Sequence, residues 1–204
     1  MPWEKQFDKS KALDRAQDAF WEGGYEATSM AVLLKRMGIQ KGSFYATFGS
    51  KRQVLLEALE RYVEARSSGF GALHAAPSAR AALERHLRAL AEEACTSRGD
   101  RGCFMVNTAL ELSGRDDVVR EVVQRGVRTL EQHYFRLLES ARAEGELPAN
   151  VEPRRTARAL LALVLGIHVL SHSATPRAVI EAVRDHAIAL LGPRAGRKEG
   201  NRAE

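Results

Sequence analysis

Cysteine is scarce here: Cys95 and Cys103 are the only two in 204 residues. That is too few for a disulfide framework, and no second ligand pair accompanies them for a zinc site. A long apolar run is missing too. The longest stretch without formal charge, Ala159 to Pro176, holds two histidines, two serines and a threonine. It is too polar and too short for a membrane span and reads as a buried helix. The N-terminus, MPWEKQFDKSK, has no apolar segment of the kind a signal peptide needs. A cytoplasmic protein that crosses no membrane is expected. No Gly-rich phosphate loop, paired carboxylates or nucleophile–base constellation stands out, so no enzyme activity, cofactor or metal is expected. The most informative absence is local. Between Ala27 and Leu56 there is no Asp or Glu, while Lys35, Arg36, Lys41, Lys51 and Arg52 all fall inside. A basic window free of acids is the electrostatic footprint of a nucleic-acid contact surface.

What is present is an ordinary globular composition, 45% hydrophobic and 28% charged, with a formal charge of +5. No segment alternates apolar and polar residues for long, so the fold class expected is all-α. A first helix is predicted over about 9–22, with Leu13, Ala16, Ala19 and Phe20 on one face. Thr28 or Ser29 can cap a second, Met30 to Met37, with Met30, Leu33, Leu34 and Met37 turned inward. Gly38 ends it, and Lys41 to Phe48 forms a third. Longer helices are predicted over about 51–68, 77–96, from 102, 116–144, 153–173 and 176–191. Pro153 and Pro176 are well placed to open the last two. The expected organisation is an N-terminal three-helix helix-turn-helix domain, 1–50, and a C-terminal bundle of about six helices, 51–192. A polar, Gly-rich tail, 193–204, is expected to be disordered.

The stretch GIQKGSFYATFGSK, Gly38 to Lys51, explains the basic window. On a helix, Phe44 and Phe48 lie one turn apart on one face, while Lys41, Tyr45 and Thr47 point elsewhere. A helix of two turns is marginal in water and needs an apolar anchor, which the two rings supply. The outer face is then free. Gly42 removes a side chain where the helix N-terminus meets a partner, and the exposed N–H groups there favour phosphate oxygens. This is the layout of a helix-turn-helix: one helix crosses the DNA backbone and the next enters the major groove N-terminus first.

The run GGYEATSMAVLLKRMGIQKGSFYATFGSK resembles the DNA-binding region of TetR/AcrR-family transcriptional regulators. The shared order is Gly-Tyr, a Thr/Ser cap, an apolar helix, Gly-Ile, a Lys-Gly-Ser helix start, Tyr-x-x-Phe and Ser-Lys. The resemblance implies that Lys41, Gly42, Ser43 and Thr47 face base edges, and that Thr28, Ser29, Tyr45 and Lys51 contact phosphates. Two positions depart from the family pattern. Leu34 stands where many such units keep alanine, and Thr47 where many members carry histidine.

One recognition helix reads few base pairs, so such proteins dimerise and read a palindrome with half-sites about 34–36 Å apart. The segment ALLALVLGIHVLS, Ala159 to Ser171, is apolar nearly all round. With Ala178, Val179, Ala182, Val183, Ala187 and Leu190 it can build a four-helix homodimer interface, and the resemblance places the dimer contact on these last two helices. The family's bundle usually holds a small-molecule pocket. Candidates to line it are Cys103, Phe104, Asn107 and Glu111 on one helix, with His133, Tyr134 and His168 from others. Cys103, Asn107 and Glu111 form a polar line in an apolar helix, which faces either a ligand or protein and solvent partners. His168 and His172, one turn apart, lack a third ligand and read as satisfied core or interface histidines.

The function expected is a ligand-responsive DNA-binding regulator: a repressor that binds a palindromic operator as a homodimer and is released by a small-molecule effector. The alternative is a repressor of the same fold that senses oxidants or electrophiles through Cys103, with Arg101 lowering the thiol pKa. An enzyme, or an adaptor that binds protein through its helix-turn-helix, are the competing classes.

Overall fold

The computed structural model describes residues 7–97 and 99–194; the tail expected to be disordered falls, from 195 on, outside them. All regular secondary structure among the described residues is helical. The order is α1 (Lys9–Gly23), α2 (Met30–Met37), α3 (Lys41–Phe48), α4 (Lys51–Ser68), α5 (Gly71–His74), α6 (Ala79–Ala94), a 3-10 turn (Gly99–Arg101), α7 (Phe104–Leu112), α8 (Asp117–Ala143), α9 (Pro153–His172) and α10 (Arg177–Ala189). This is the all-α architecture expected, with the helix-turn-helix at its N-terminal end. The one-turn α5 has no counterpart in the sequence reading, because four residues are too few to show a period.

Most helix starts are set by side chains that accept orphan backbone N–H groups. Asp8 accepts from Lys11, Ser29 from Val32, Ser50 from Gln53, Ser78 from Ala81, and Glu152 from both Arg154 and Arg155. Asp116 accepts from Val118 and Val119 at the head of α8. Of the two candidate caps for α2, Ser29 takes the position. At its other end Gly38 adopts φ +71°, and its N–H closes on the Leu34 carbonyl at 3.0 Å. That left-handed conformation is the one glycine reaches without strain, so the turn to α3 can be three residues long.

The chain packs as two compact units. The first comprises the described residues up to Ser68 together with Arg101–Arg128. Its core joins Leu13, Ala16 and Phe20 of α1 to Leu33 and Met37 of α2, Phe44 and Phe48 of α3, and Val54, Leu55 and Leu59 of α4, all buried. Met30 and Leu34, expected to point inward with them, are only half-buried. Phe104, Met105 and Leu112 of α7 and Val119 and Val122 of α8 complete it. Gly126 lets α8 approach closely: a Cβ there would stand 2.6 Å from the Met105 sulfur and 3.1 Å from Val63.

The second unit comprises Gly69–Asp100 and the described residues from Thr129 on. Its core is built from Phe70, Leu83, Leu87, Tyr134, Leu137, Leu138, Leu160, Val164, Ile167, Ile180 and Leu191. A buried ion pair, Arg80 Nε to Glu84 at 3.0 Å, is embedded in it. The Arg80 guanidinium also donates to the carbonyls of Glu146, Leu191, Gly192 and Pro193, so every face of the buried charge meets an acceptor.

Candidate nucleic-acid interface

The eight residues of α3 divide as the phenylalanine spacing predicts. Phe44 is fully buried and Phe48 is 2% exposed, their ring centroids 5.8 Å apart. Fully burying two such rings is worth about 1.5–3 kcal/mol each, enough to hold a helix that cannot hold itself. Lys41, Gly42, Ser43, Tyr45 and Thr47 are all exposed, Tyr45 at 46%. Tyr45 is steadied by an edge contact with Phe44, centroids 5.3 Å apart.

The N-terminus of α3 is open. Gln40 sits at the cap position without a side-chain hydrogen bond, and the first intrahelical bond runs from the Phe44 N–H to the Gln40 carbonyl at 2.9 Å. The N–H groups of Lys41, Gly42 and Ser43 therefore point out of the helix end, where the peptide dipoles favour an anion. A Cβ added at Gly42 would meet no atom within 4 Å, so the space above this end is clear.

The cations of the basic window are not equivalent. Arg36 is paired with Glu22, and Arg52 grips Asp116 with two hydrogen bonds of 2.6 and 2.8 Å. That bond, chiefly, lowers the Asp116 carboxyl to a pKa of about 2. Lys51 is half-buried with its Nζ 4.2 Å above the Tyr25 ring; partial burial pulls its pKa down, and Glu26 and Glu111 pull it back up. Lys35 and Lys41 remain exposed. Ser29 is exposed beside them, but Thr28 is not. Its side chain is buried, with the hydroxyl 2.6 Å from the Gly24 carbonyl and 3.3 Å from that of Ala19. The phosphate contact expected of Thr28 cannot come from that hydroxyl, which closes the turn between α1 and α2 instead.

The residues proposed to line a ligand pocket have protein partners. In the first unit the Tyr62 hydroxyl lies 3.4 Å from the buried Cys103 sulfur, and Phe104 packs edge-on to Tyr62. Burial, and then the thiol, push the Tyr62 phenol pKa well up. Asn107 Nδ2 donates to the Arg101 carbonyl at 2.9 Å, and Glu111 accepts from the backbone N–H groups of Tyr25 and Glu26. The polar line of α7 thus faces protein. Arg101, expected to activate the thiol, pairs with Asp18 at 2.7 Å and lies 4.3 Å over Trp21.

In the second unit His133 stacks on Phe70, centroids 4.7 Å apart, with its Nδ1 3.0 Å from Nε2 of His74. Burial lowers the pKa of both rings, and Arg136 lowers each further. The Tyr134 hydroxyl meets His86 Nε2 at 3.1 Å. His168 is half-buried, and its carbonyl accepts from Ser171. Among the described residues no group of three His, Cys, Asp or Glu could hold a metal ion. A cleft of about 600 Å³ between Phe135, Arg142, Glu152, Pro153 and Arg154 contains none of the candidate ligand residues. Sequence reasoning missed it, and it also missed His74 and His86, whose partners His133 and Tyr134 lie 59 and 48 residues away.

Comparison with known proteins bears on both parts of the chain. Residues 12–58 match the family model of bacterial regulatory proteins, tetR family. Residues 78–187 match the tetracyclin repressor-like C-terminal domain. The HTH-type transcriptional repressor ComR of Escherichia coli (strain K12) is 31% identical over 175 residues, which cover 81% of this chain and 80% of that protein. The uncharacterized HTH-type transcriptional regulator YezE of Bacillus subtilis (strain 168) is 31% identical over 147 residues, 70% of this chain and 74% of that one. Among solved structures, the TetR family transcriptional regulator CifR, a cysteine mutant bound to 26-base-pair double-strand operator DNA, is 30% identical with a TM-score of 0.79. That match covers 90% of this chain and 97% of CifR.

Proposed function

This chain belongs to the TetR family of bacterial regulatory proteins and is a DNA-binding transcriptional regulator; from that premise we propose that it is a cytoplasmic repressor, binding a palindromic operator as a homodimer and released by a small-molecule effector. The observation that carries the proposal is α3: two buried rings hold a helix whose opposite side and uncapped N-terminus are open. In this reading residues 1–50 engage DNA, with Lys41, Gly42, Ser43 and Thr47 against base edges and Ser29, Tyr45 and Lys51 on phosphates. Residues 51–192 dimerise and take up the effector.

Two apolar stripes support the dimer. Ala162, Leu165, Gly166 and Val169 recur at helical spacing on α9 and are exposed or half-buried. Ala178, Val179, Ala182 and Val183 form a similar stripe on α10, with Val169 and Val179 each 42% exposed. Such a surface is covered when two copies associate about a two-fold axis. ComR is named a repressor, which supports that sign of regulation here. The effector, taken up where His133 and Tyr134 join a cluster of rings and imidazoles, must bind one conformation of the dimer better than the other, because equal affinity for both shifts nothing.

Fluorescence anisotropy on a palindromic duplex from the upstream region of the chain's own gene tests the assignment. The double variant Lys41→Ala, Tyr45→Ala should lose binding while its melting curve stays put. Lys41 is the one cation of the pair, so the dependence of log Kd on log salt should flatten by no more than about 0.9. Unchanged DNA affinity in that variant defeats the reading of α3.

A further inference from the structure

The α1–α2 turn has an unusual support. It presents two successive backbone N–H groups, of Tyr25 and Glu26, that no helix uses. Glu111, at the end of α7, accepts both with its two carboxylate oxygens, at 2.9 and 2.7 Å. The chain makes room for this at Gly24, whose φ is +77° and whose missing Cβ would stand 3.3 Å from a Glu111 oxygen. A side chain there would be strained by the backbone and pressed against the carboxylate together.

The turn so held carries groups assigned above to phosphate contact. The Gly24 carbonyl takes the Thr28 hydroxyl at 2.6 Å, and Ser29 follows as the cap of α2. The Tyr25 ring lies 4.2 Å beneath Lys51 Nζ and 5.7 Å from the Phe20 ring. Moving the turn therefore moves Ser29 and the platform under Lys51. The other end of α7 is tied as firmly: Asn107 holds the Arg101 carbonyl, and Arg101 pairs with Asp18 of α1.

We propose that Glu111 is a positioning residue for operator binding: its carboxylate clasps the 24–26 turn so that Ser29 and Lys51 meet the DNA backbone in register. This rests on the phosphate contacts assigned under the proposed function. The sign of the effect separates it from simple electrostatics. Glu111 is an acid close to a cation that faces DNA, so deleting its charge alone tightens binding to a polyanion. Deleting a clasp loosens it.

The experiment compares Glu111→Ala, Glu111→Gln and the unaltered full-length protein by anisotropy on the same palindromic duplex over a salt series, with thermal melting alongside. In the same pose the amide of Gln turns one oxygen and one NH2 toward the turn, so one of the two N–H groups loses its acceptor. Glu111→Ala should bind about tenfold more weakly and Glu111→Gln should fall between. The salt slope should flatten by about 0.9 as Lys51 leaves its phosphate. Should Glu111→Ala melt early, Glu111→Gln, whose volume is unchanged, becomes the deciding variant. Affinity equal to or tighter than the unaltered protein's in a folded variant overturns the proposal. So does weaker binding with an unchanged salt slope, since that is the mark of a general loss of structure. An unaltered protein that binds no duplex overturns the DNA-contact assignments instead.

Discussion

Phe44→Ala tests the division of labour in α3 more directly than any change on its outer face. The ring is completely buried and packs within 5.8 Å of Phe48, in a core shared with Leu33 and Met37. Removing it takes away the transfer free energy of the ring and leaves a cavity, a loss of about 3–5 kcal/mol for Phe→Ala in a core. Total stabilities of domains are about 5–15 kcal/mol, so the change removes a large share. An eight-residue helix with one anchor left has little reason to stay formed. Tyr45→Ala, one residue on, is the control. That side chain is 46% exposed, and surface substitutions of this kind stay within about 0.5 kcal/mol. Urea denaturation followed by far-UV circular dichroism measures both, and anisotropy on the palindromic duplex measures what each does to DNA affinity. The expected pattern is a split: Phe44→Ala loses stability and DNA binding together, whereas Tyr45→Ala loses DNA affinity alone. If Phe44→Ala costs under about 1 kcal/mol, or the two variants destabilise equally, buried rings are not what frees the opposite face.

Two further outcomes follow from the same geometry. The Asp116 carboxyl is held near pKa 2 in the fold against an ordinary 3.8, so its pairing with Arg52 stabilises the protein above about pH 4 and is lost as pH falls toward 2; Asp116→Asn should flatten the stability–pH curve in that window and leave neutral pH the less stable for it. Val169→Glu places a charge in the exposed apolar stripe of α9, and sedimentation should show the proposed homodimer dissociating at concentrations where the unaltered protein is expected to pair; a dimer that ignores the change places the interface elsewhere.

The features the sequence displayed best were those decided within a turn or two of chain. Gly38 as a stop, Pro153 as a start and the Phe44–Phe48 pair all depend on neighbours three or four residues away, and all stand where the spacing put them. Adjacent hydroxyls were harder. Thr28 and Ser29 compete for one cap, and the winner is decided by which of them the Gly24 carbonyl captures, a matter of turn geometry that composition does not carry. Contacts across the chain were invisible. Glu111 looked like part of a ligand-facing line because its helix is apolar, yet it meets N–H groups 85 and 86 residues earlier. The same holds for Arg101, adjacent to the cysteine region in sequence but committed in space to Asp18 and Trp21.

The uncapped start of α3 has a thermodynamic corollary. In the proposed operator complex its three outward N–H groups meet phosphate oxygens, so the nucleic acid finishes a helix that the polypeptide leaves incomplete. Ordering of the reader and choice of target then draw on one free energy: a site that docks without satisfying those donors stabilises the helix less, and the apparent affinity falls by the fraction of molecules whose first turn is frayed. That cost of ordering belongs to the free protein and is the same for every target, so it lowers affinity throughout, while the fit of the donors discriminates.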